Sequence, residues 1–497
     1  MNELTKKPLS DLISINEQYA RSTRIDQDDI AASGFIYSSS IDIFLNTLAK
    51  HQSKSWQSAF TWTGPYGSGK STLALSLISI LQGTAAKRAS AAQNYTPQTA
   101  QNIWDAFPPG ENGWDIISFV GRRTSLEKLL FEELKLGGSD NAPADILQKS
   151  ILSALKDRIN RKPNDGGLVL FVDEMGKLLE SAADGDGDIY FYQLIAELAS
   201  RSNGRFIVIG ILHQTFQEYA AAASKKIRDE WGKVHGRFVD VSFNLTNSEQ
   251  LELISNAISS EATPNIAREL ADQTFELLEK SKRAPTSAML NQMANCWPLS
   301  PICALTLGPI SRRSYGQNQR SIFSFLTSGE PLGLRDFVNR TLLGKDSIYS
   351  IANLWDYLEL NWGSAISVSG DSHHFANVRD ALSRLETMEE ARPEHQLILK
   401  AISIFELTEQ LTGLSATHEA LKIALNVSSH KITRDTNFLL RNSLLIFKKY
   451  KKTFALFEGS DFDIEAELTE SLKASSIISI ANAMQPFLPS EIVAKRH

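Results

Sequence analysis

Eight residues constrain this chain more than any others: Gly64-Pro65-Tyr66-Gly67-Ser68-Gly69-Lys70-Ser71. A glycine, four free positions and then Gly-Lys-Ser is the spacing of a loop that wraps a phosphate chain. Glycines let the backbone turn sharply and aim successive N–H groups at phosphate oxygens. At this spacing Lys70 reaches the β- and γ-phosphates, and the Ser71 hydroxyl is an oxygen ligand of the kind Mg²⁺ prefers. The flanks agree. Residues 59–63 read as a short strand entering the loop. Residues 72–81, beginning at Thr72, read as an apolar helix whose positive end faces the phosphates.

The second half of a magnesium–nucleotide site follows about a hundred residues later. Leu168-Val-Leu-Phe-Val172 is an apolar run of strand length, and Asp173-Glu174 stand at its carboxyl end, where open α/β sheets place their ligands. Asp173 is expected to hold Mg²⁺ directly or through water, and Glu174 to act as general base on the attacking water. Residues 205–212 predict a further strand ending in His213-Gln214-Thr215. Gln214, with His213 as second candidate, would sense the γ-phosphate or position water. The acidic loop Asp184-Gly-Asp186-Gly-Asp188 is not a calcium loop. Its sixth and twelfth positions, Ile189 and Ile195, lack the required glycine and carboxylate.

Taken together, these elements resemble the additional-strand P-loop ATPases, and among them AAA+ proteins and their signal-transduction (STAND) relatives. Residues 114–120 and 236–243 would be the second and fifth strands, and a helix over 40–51 leads in. The resemblance covers residues 37–243 and runs less closely to 326. It implies an α/β parallel-sheet P-loop NTPase core that binds ATP and Mg²⁺, followed by a helical lid. It also implies that Arg237, just before the fifth strand, acts as an arginine finger on a neighbouring copy, and hence a homo-oligomer. Arg320, or else Arg312 or Arg313, would be the lid's phosphate sensor. Residues 312–321 and 21–26 resemble segments of large bacterial ATPases from phage-defence loci, which implies a protein effector as partner. The chain departs from unfoldases: Gly121-Arg122-Arg123 stands where they carry an aromatic pore loop. It also lacks the Leu-Ser-Gly-Gly signature of ABC-type ATPases.

The C-terminal third predicts helices over 394–409, 416–425 and 428–442, then two short strands within 444–457, which describes a winged helix. Lys431, Arg434, Arg441, Lys448, Lys449, Lys451 and Lys452 face one acid, Asp435, across residues 429–452. Helix and wing can meet a DNA duplex, or the module can serve as a switch and packing unit. The expected organisation is a lead-in (1–36), ATPase core (37–245), lid (246–340), helical linker (341–392), winged helix (393–460) and an acidic segment and tail (461–497). His373-His374 reads as a surface pair.

At 497 residues the length suits about three domains. A net charge of −6 argues against wholesale coating of nucleic acid while leaving room for a local basic patch. Two cysteines, Cys296 and Cys303, make no disulfide framework, and no apolar run approaches a membrane span. The expectation is a cytoplasmic ATPase, with no membrane partner, that controls its own assembly or a defence effector. The alternative is an origin-recognition-like DNA-binding ATPase.

Overall fold

The computed structural model describes residues 7–16, 24–27, 37–55, 57–65, 67–138, 142–160, 166–214, 231–261, 263–281, 283–313, 322–344 and 347–458. Among them the strands are β1 (Ile13–Ile15), β2 (Ala59–Thr63), β3 (Asp115–Val120), β4 (Leu168–Asp173), β5 (Phe206–Leu212), β6 (Val239–Ser242), β7 (Ile258–Ser260), β8 (Leu445–Lys448) and β9 (Thr453–Leu456).

Five of them form one parallel sheet in the order β3-β4-β5-β2-β6. β5 is thus inserted between the strand that carries the phosphate loop and the strand that carries Asp173. Strands buried on both faces need apolar residues at every position, and β2, β4 and β5 are buried throughout. Alternate side chains go to opposite faces. Phe60, Trp62, Val169, Phe171, Ile207, Ile209 and Ile211 pack beneath the helices Ser39–Ser55, Lys70–Leu81 and Pro97–Ala106. Leu168, Leu170, Val172, Phe206, Val208 and Leu212 pack against Ala144–Asn160, Met175–Ala183 and Ile189–Ser200. Trp62 sits edge-on to Phe44 and Phe171, with ring centroids 5.0 and 6.0 Å apart.

Residues 82–113 and 124–160, to which no element is assigned from sequence, fold into helices Ala85–Ala92, Pro97–Ala106, Leu126–Glu133 and Ala144–Asn160, the last burying Leu147, Ile151, Leu155 and Ile159 at every fourth position. Two of these start on side-chain caps: Thr96 accepts from Thr99 N–H, and Ser125 from Lys128 N–H.

Beyond β6 the chain is helical and continuous in its packing. Leu251, Trp297, Trp355, Phe405 and Leu439 belong to one hydrophobic cluster. It runs from the first helix of the lid region, Asn247–Ala257, to the last helix, Ser429–Arg441, without a break at 341–392. The helices Pro393–Thr412, His418–Ala424 and Ser429–Arg441, with the antiparallel hairpin β8–β9, make the winged-helix arrangement. Polar contacts reinforce its seat on the lid. Asn247 Nδ2 donates to the Leu411 carbonyl at 2.8 Å, Arg283 to the Gln410 carbonyl at 3.2 Å, and Lys280 pairs with Glu419 at 2.9 Å. His374 departs from the surface-pair expectation: it is half-buried, 3.0 Å from Ser403 Oγ, and burial lowers its pKa. His373 is exposed.

The N-terminal segment joins the two bodies. β1 pairs with β7, and Leu9 N–H donates to the Thr341 carbonyl at 2.9 Å. Further on, Ile25 is buried in the core, and its carbonyl accepts from Ser118 Oγ at 3.1 Å.

A second clasp is Glu249, at the third position of Asn247–Ala257. Its carboxylate accepts from Thr246 N–H (2.8 Å), Thr246 Oγ1 (2.7 Å), Ser40 N–H (2.7 Å) and Ser40 Oγ (2.5 Å). One side chain therefore caps its own helix and the start of Ser39–Ser55. Burial raises its pKa, but the bonds from Ser40 and Thr246 outweigh this and carry it from 4.5 to about 2. A depressed carboxylate pKa contributes stability that is complete above 4.5 and is lost as pH falls through about 2, on the order of 3 kcal/mol. Glu249→Gln should therefore lower stability at pH 7, and its deficit against wild type should close between pH 4.5 and 2 in denaturant titrations. A deficit that does not change with pH would refute the clasp.

Candidate nucleotide site

The site lies at the carboxyl edge of the sheet because the strand register puts it there. Thr63 is level with Leu212, and Val120 with Asp173. The phosphate loop leaves β2 at this edge and turns into the helix Lys70–Leu81 through Gly69, whose φ of +90° is left-handed, as is that of Gly67 at +72°. Gly64 is required for a different reason: a Cβ there would stand 2.3 Å from the Phe243 carbonyl oxygen. Tyr66 falls outside the described residues.

Lys70 is 4% exposed, and its Nζ donates to the carbonyls of Gly64 (2.6 Å) and Pro65 (2.8 Å), with Ser68 Oγ at 3.3 Å. The ammonium is thus held by the loop it would share with phosphates. Burial brings its pKa down to about 7, against the attraction of Asp173. Ser71 Oγ donates to Asp173 Oδ2 at 2.7 Å, and Asp173 Oδ1 accepts from Glu174 N–H at 2.9 Å. Burial pushes the Asp173 carboxyl up, against those two bonds and the Lys70 charge. Paired oxygen donors from a half-buried serine and a buried aspartate are of the kind Mg²⁺ takes, so the residues fit that ion.

Glu174 has φ +49° and ψ +39°, left-handed for a residue with a Cβ, and makes no side-chain cap to the helix it precedes. Such backbone is tolerated where the surroundings impose it. Here they do: Gly121 N–H donates to the Asp173 carbonyl at 2.7 Å, and a Cβ on Gly121 would stand 2.5 Å from the Glu174 carbonyl oxygen. The Glu174 carboxylate is in an ion pair with Lys177 one turn on.

At the tip of β5 the structure separates the two candidates. Gln214 is exposed, whereas His213 is half-buried. The Leu212 carbonyl beside His213 accepts from Gly64 N–H at 3.3 Å. Burial, then the charges of Lys70 and Lys177, take the His213 pKa down to about 2, so it is a neutral imidazole. Both residues lie in the bend beyond β5, where no strand period fixes their facing, and sequence alone does not say which of two tip residues turns inward.

Arg237 stands at the other end of the sheet. Val239 is level with Phe60 at the start of β2, and Arg237 lies in the turn before it, at the end of the sheet away from Gly64. It is half-exposed and 3.2 Å from Glu197, which excludes it from its own chain's phosphates and leaves it facing outward. Arg312 donates to the Leu245 carbonyl at 2.6 Å, where core meets lid, and Arg313 pairs with Asp371. Arg320 falls outside the described residues.

No protein-family model matches the chain, and no curated protein matches its sequence. Solved structures similar in the course of the chain include the Aeropyrum pernix ORC2 protein in ADPNP-ADP complexes, at 11% identity over 93% of this chain and 98% of that one, with a TM-score of 0.32. The ADP form of the same protein gives 12%, 94%, 100% and 0.28. Drosophila ORC bound to DNA gives 12%, 94%, 93% and 0.34. Among the described residues no helix is long and apolar enough to cross a membrane. The parallel sheet with an inserted strand and the phosphate loop beside the Asp-Glu strand make this an α/β P-loop NTPase core, joined to a helical body that ends in a winged helix.

Proposed function

We propose that this protein is a Mg²⁺-dependent ATPase whose nucleotide state sets the position of a DNA-binding winged helix. The observation that carries the catalytic half is the hydrogen-bonded set Ser71, Asp173 and Glu174 beside Lys70, whose ammonium is held by the phosphate loop, at one sheet edge. Ser71 and Asp173 would hold the magnesium, which when bound offsets charge on the β- and γ-phosphates. Lys70 binds the phosphate oxygens. Glu174 takes the proton from the attacking water, the new P–O bond forms at the γ-phosphorus, and the β–γ bridging oxygen leaves with ADP. Arg237 can complete such a site only on a second copy, which favours an assembly over a monomer.

The DNA half rests on the last helix and its wing. His430, Arg434, Asn437 and Arg441 recur at helical spacing on one side of Ser429–Arg441, while Ile432, Asp435, Thr436 and Leu439 are buried on the other. Arg434 is held by the Asp435 carboxylate at 2.7 and 3.1 Å. Lys449, Tyr450, Lys451 and Lys452 form an exposed hairpin tip. Lys448 and Lys451 also line a cavity of about 260 Å³ with His374, Glu406, Glu409 and Glu458, Lys451 lying 3.8 Å from Glu409. Lys431 is exposed at the flank.

This surface favours DNA over the effector and phage-defence role that the resemblance implies, for which no described residue speaks. Replacing Lys449, Lys451 and Lys452 by Glu should weaken duplex binding and flatten its dependence on salt by about 0.9 in slope per lost phosphate contact. Wild-type protein that binds no duplex at low salt would refute this half of the reading.

A further inference from the structure

Lys177 is in the wrong place for a helix-stabilising residue. It occupies the third position of Met175–Ala183, whose first turn holds no acidic residue. A cation there opposes the helix dipole. Glu174 before it does not cap the helix and adopts left-handed backbone. Two adjacent departures from local preference mark a functional constraint. An ordinary exposed ion pair would not compensate, since such pairs contribute little.

Its surroundings say what the constraint is. Lys177 contacts the Glu174 carboxylate directly. Its charge also reaches His213, as does that of Lys70, and His213 follows the residue bonded to Gly64 at the mouth of the phosphate loop. Lys177 therefore acts on both Glu174 and His213, the two side chains at this edge that carry neither the loop nor the Asp173–Ser71 bond. Arg237, at the far end of the sheet, offers this site nothing in its own chain.

We infer that Lys177 is a second phosphate-binding cation of this site, held by Glu174 in the nucleotide-free protein and transferred to the γ-phosphate when ATP binds. The inference rests on the ATP reading and assigns the site an ATP-over-ADP discriminator within its own chain. A γ-phosphate carries more charge than a carboxylate and competes for the ammonium. As Lys177 moves, the Glu174 carboxylate is released to accept a water proton. ADP lacks the competing group, so with ADP the Lys177–Glu174 pair persists.

The test is equilibrium binding of fluorescent ATP and ADP analogues, with Mg²⁺, to the full chain as wild type, Lys177→Met and Lys177→Arg. Lys177→Met should lose about tenfold to a hundredfold in ATP affinity, the scale of one charged hydrogen bond, with ADP affinity unchanged. The unchanged ADP affinity also reports that the variant has folded. Lys177→Arg should keep the wild-type ATP preference. An unaltered ATP:ADP ratio in Lys177→Met, or equal losses for both nucleotides, overturns the inference alone. Wild-type protein that binds neither nucleotide overturns the ATP reading with it.

Discussion

Lys70→Ala is expected to lower ATP affinity by about 10²–10⁴-fold. The Lys70 ammonium is buried and already donates to two loop carbonyls, so it is preorganised to bond phosphate oxygens instead. Two charge-assisted bonds at about 1.5–3 kcal/mol each give that range. The fold should survive, because β2 and the helix Lys70–Leu81 are held by apolar packing from Phe60, Trp62, Leu73 and Leu77. Direct binding of a fluorescent ATP analogue measures the effect, and wild-type affinity in the variant would remove Lys70 from the site.

Glu174→Gln should behave differently. A positioned general base contributes about 10²–10⁴-fold, so single-turnover hydrolysis should fall by that factor while ATP remains bound. Glutamine keeps the shape of the side chain, and the Asp173–Ser71 bond does not depend on the Glu174 carboxylate. Phosphate release measured alongside nucleotide binding separates the two effects. Undiminished hydrolysis would mean that another group takes the proton.

The candidate nucleotide edge was legible in the sequence because its residues are local. Lys70 and Ser71 are neighbours, Asp173 and Glu174 are neighbours, and the apolar runs before them can only be buried strands. What the sequence withheld depends on contacts far apart in the chain. Gln214 and His213 are neighbours in the bend beyond β5, and only the packing there decides which turns inward. Gly121 matters because its missing side chain leaves room for the Glu174 carbonyl, a partner 53 positions away. Lys177 reads as an ordinary surface lysine until it is seen against Glu174 and His213. In the winged helix, the basic residues were plain in the sequence. The burial pattern then added His430 and Asn437 to the exposed face, and it drew Lys448 toward the glutamates beneath the wing.

The continuous cluster from Leu251 to Leu439 gives the account its mechanical claim. The winged helix is packed onto the lid, and the lid is clasped to the core through Glu249 and the N-terminal segment. On the proposed reading, a nucleotide that moves the lid carries the helix Ser429–Arg441 with it. The most direct test is the duplex affinity of Glu174→Gln at one salt concentration, with saturating ATP and Mg²⁺ and again without nucleotide. The account predicts a difference of roughly 5–150-fold, the usual range of coupling between two sites. The same affinity in both conditions would contradict it.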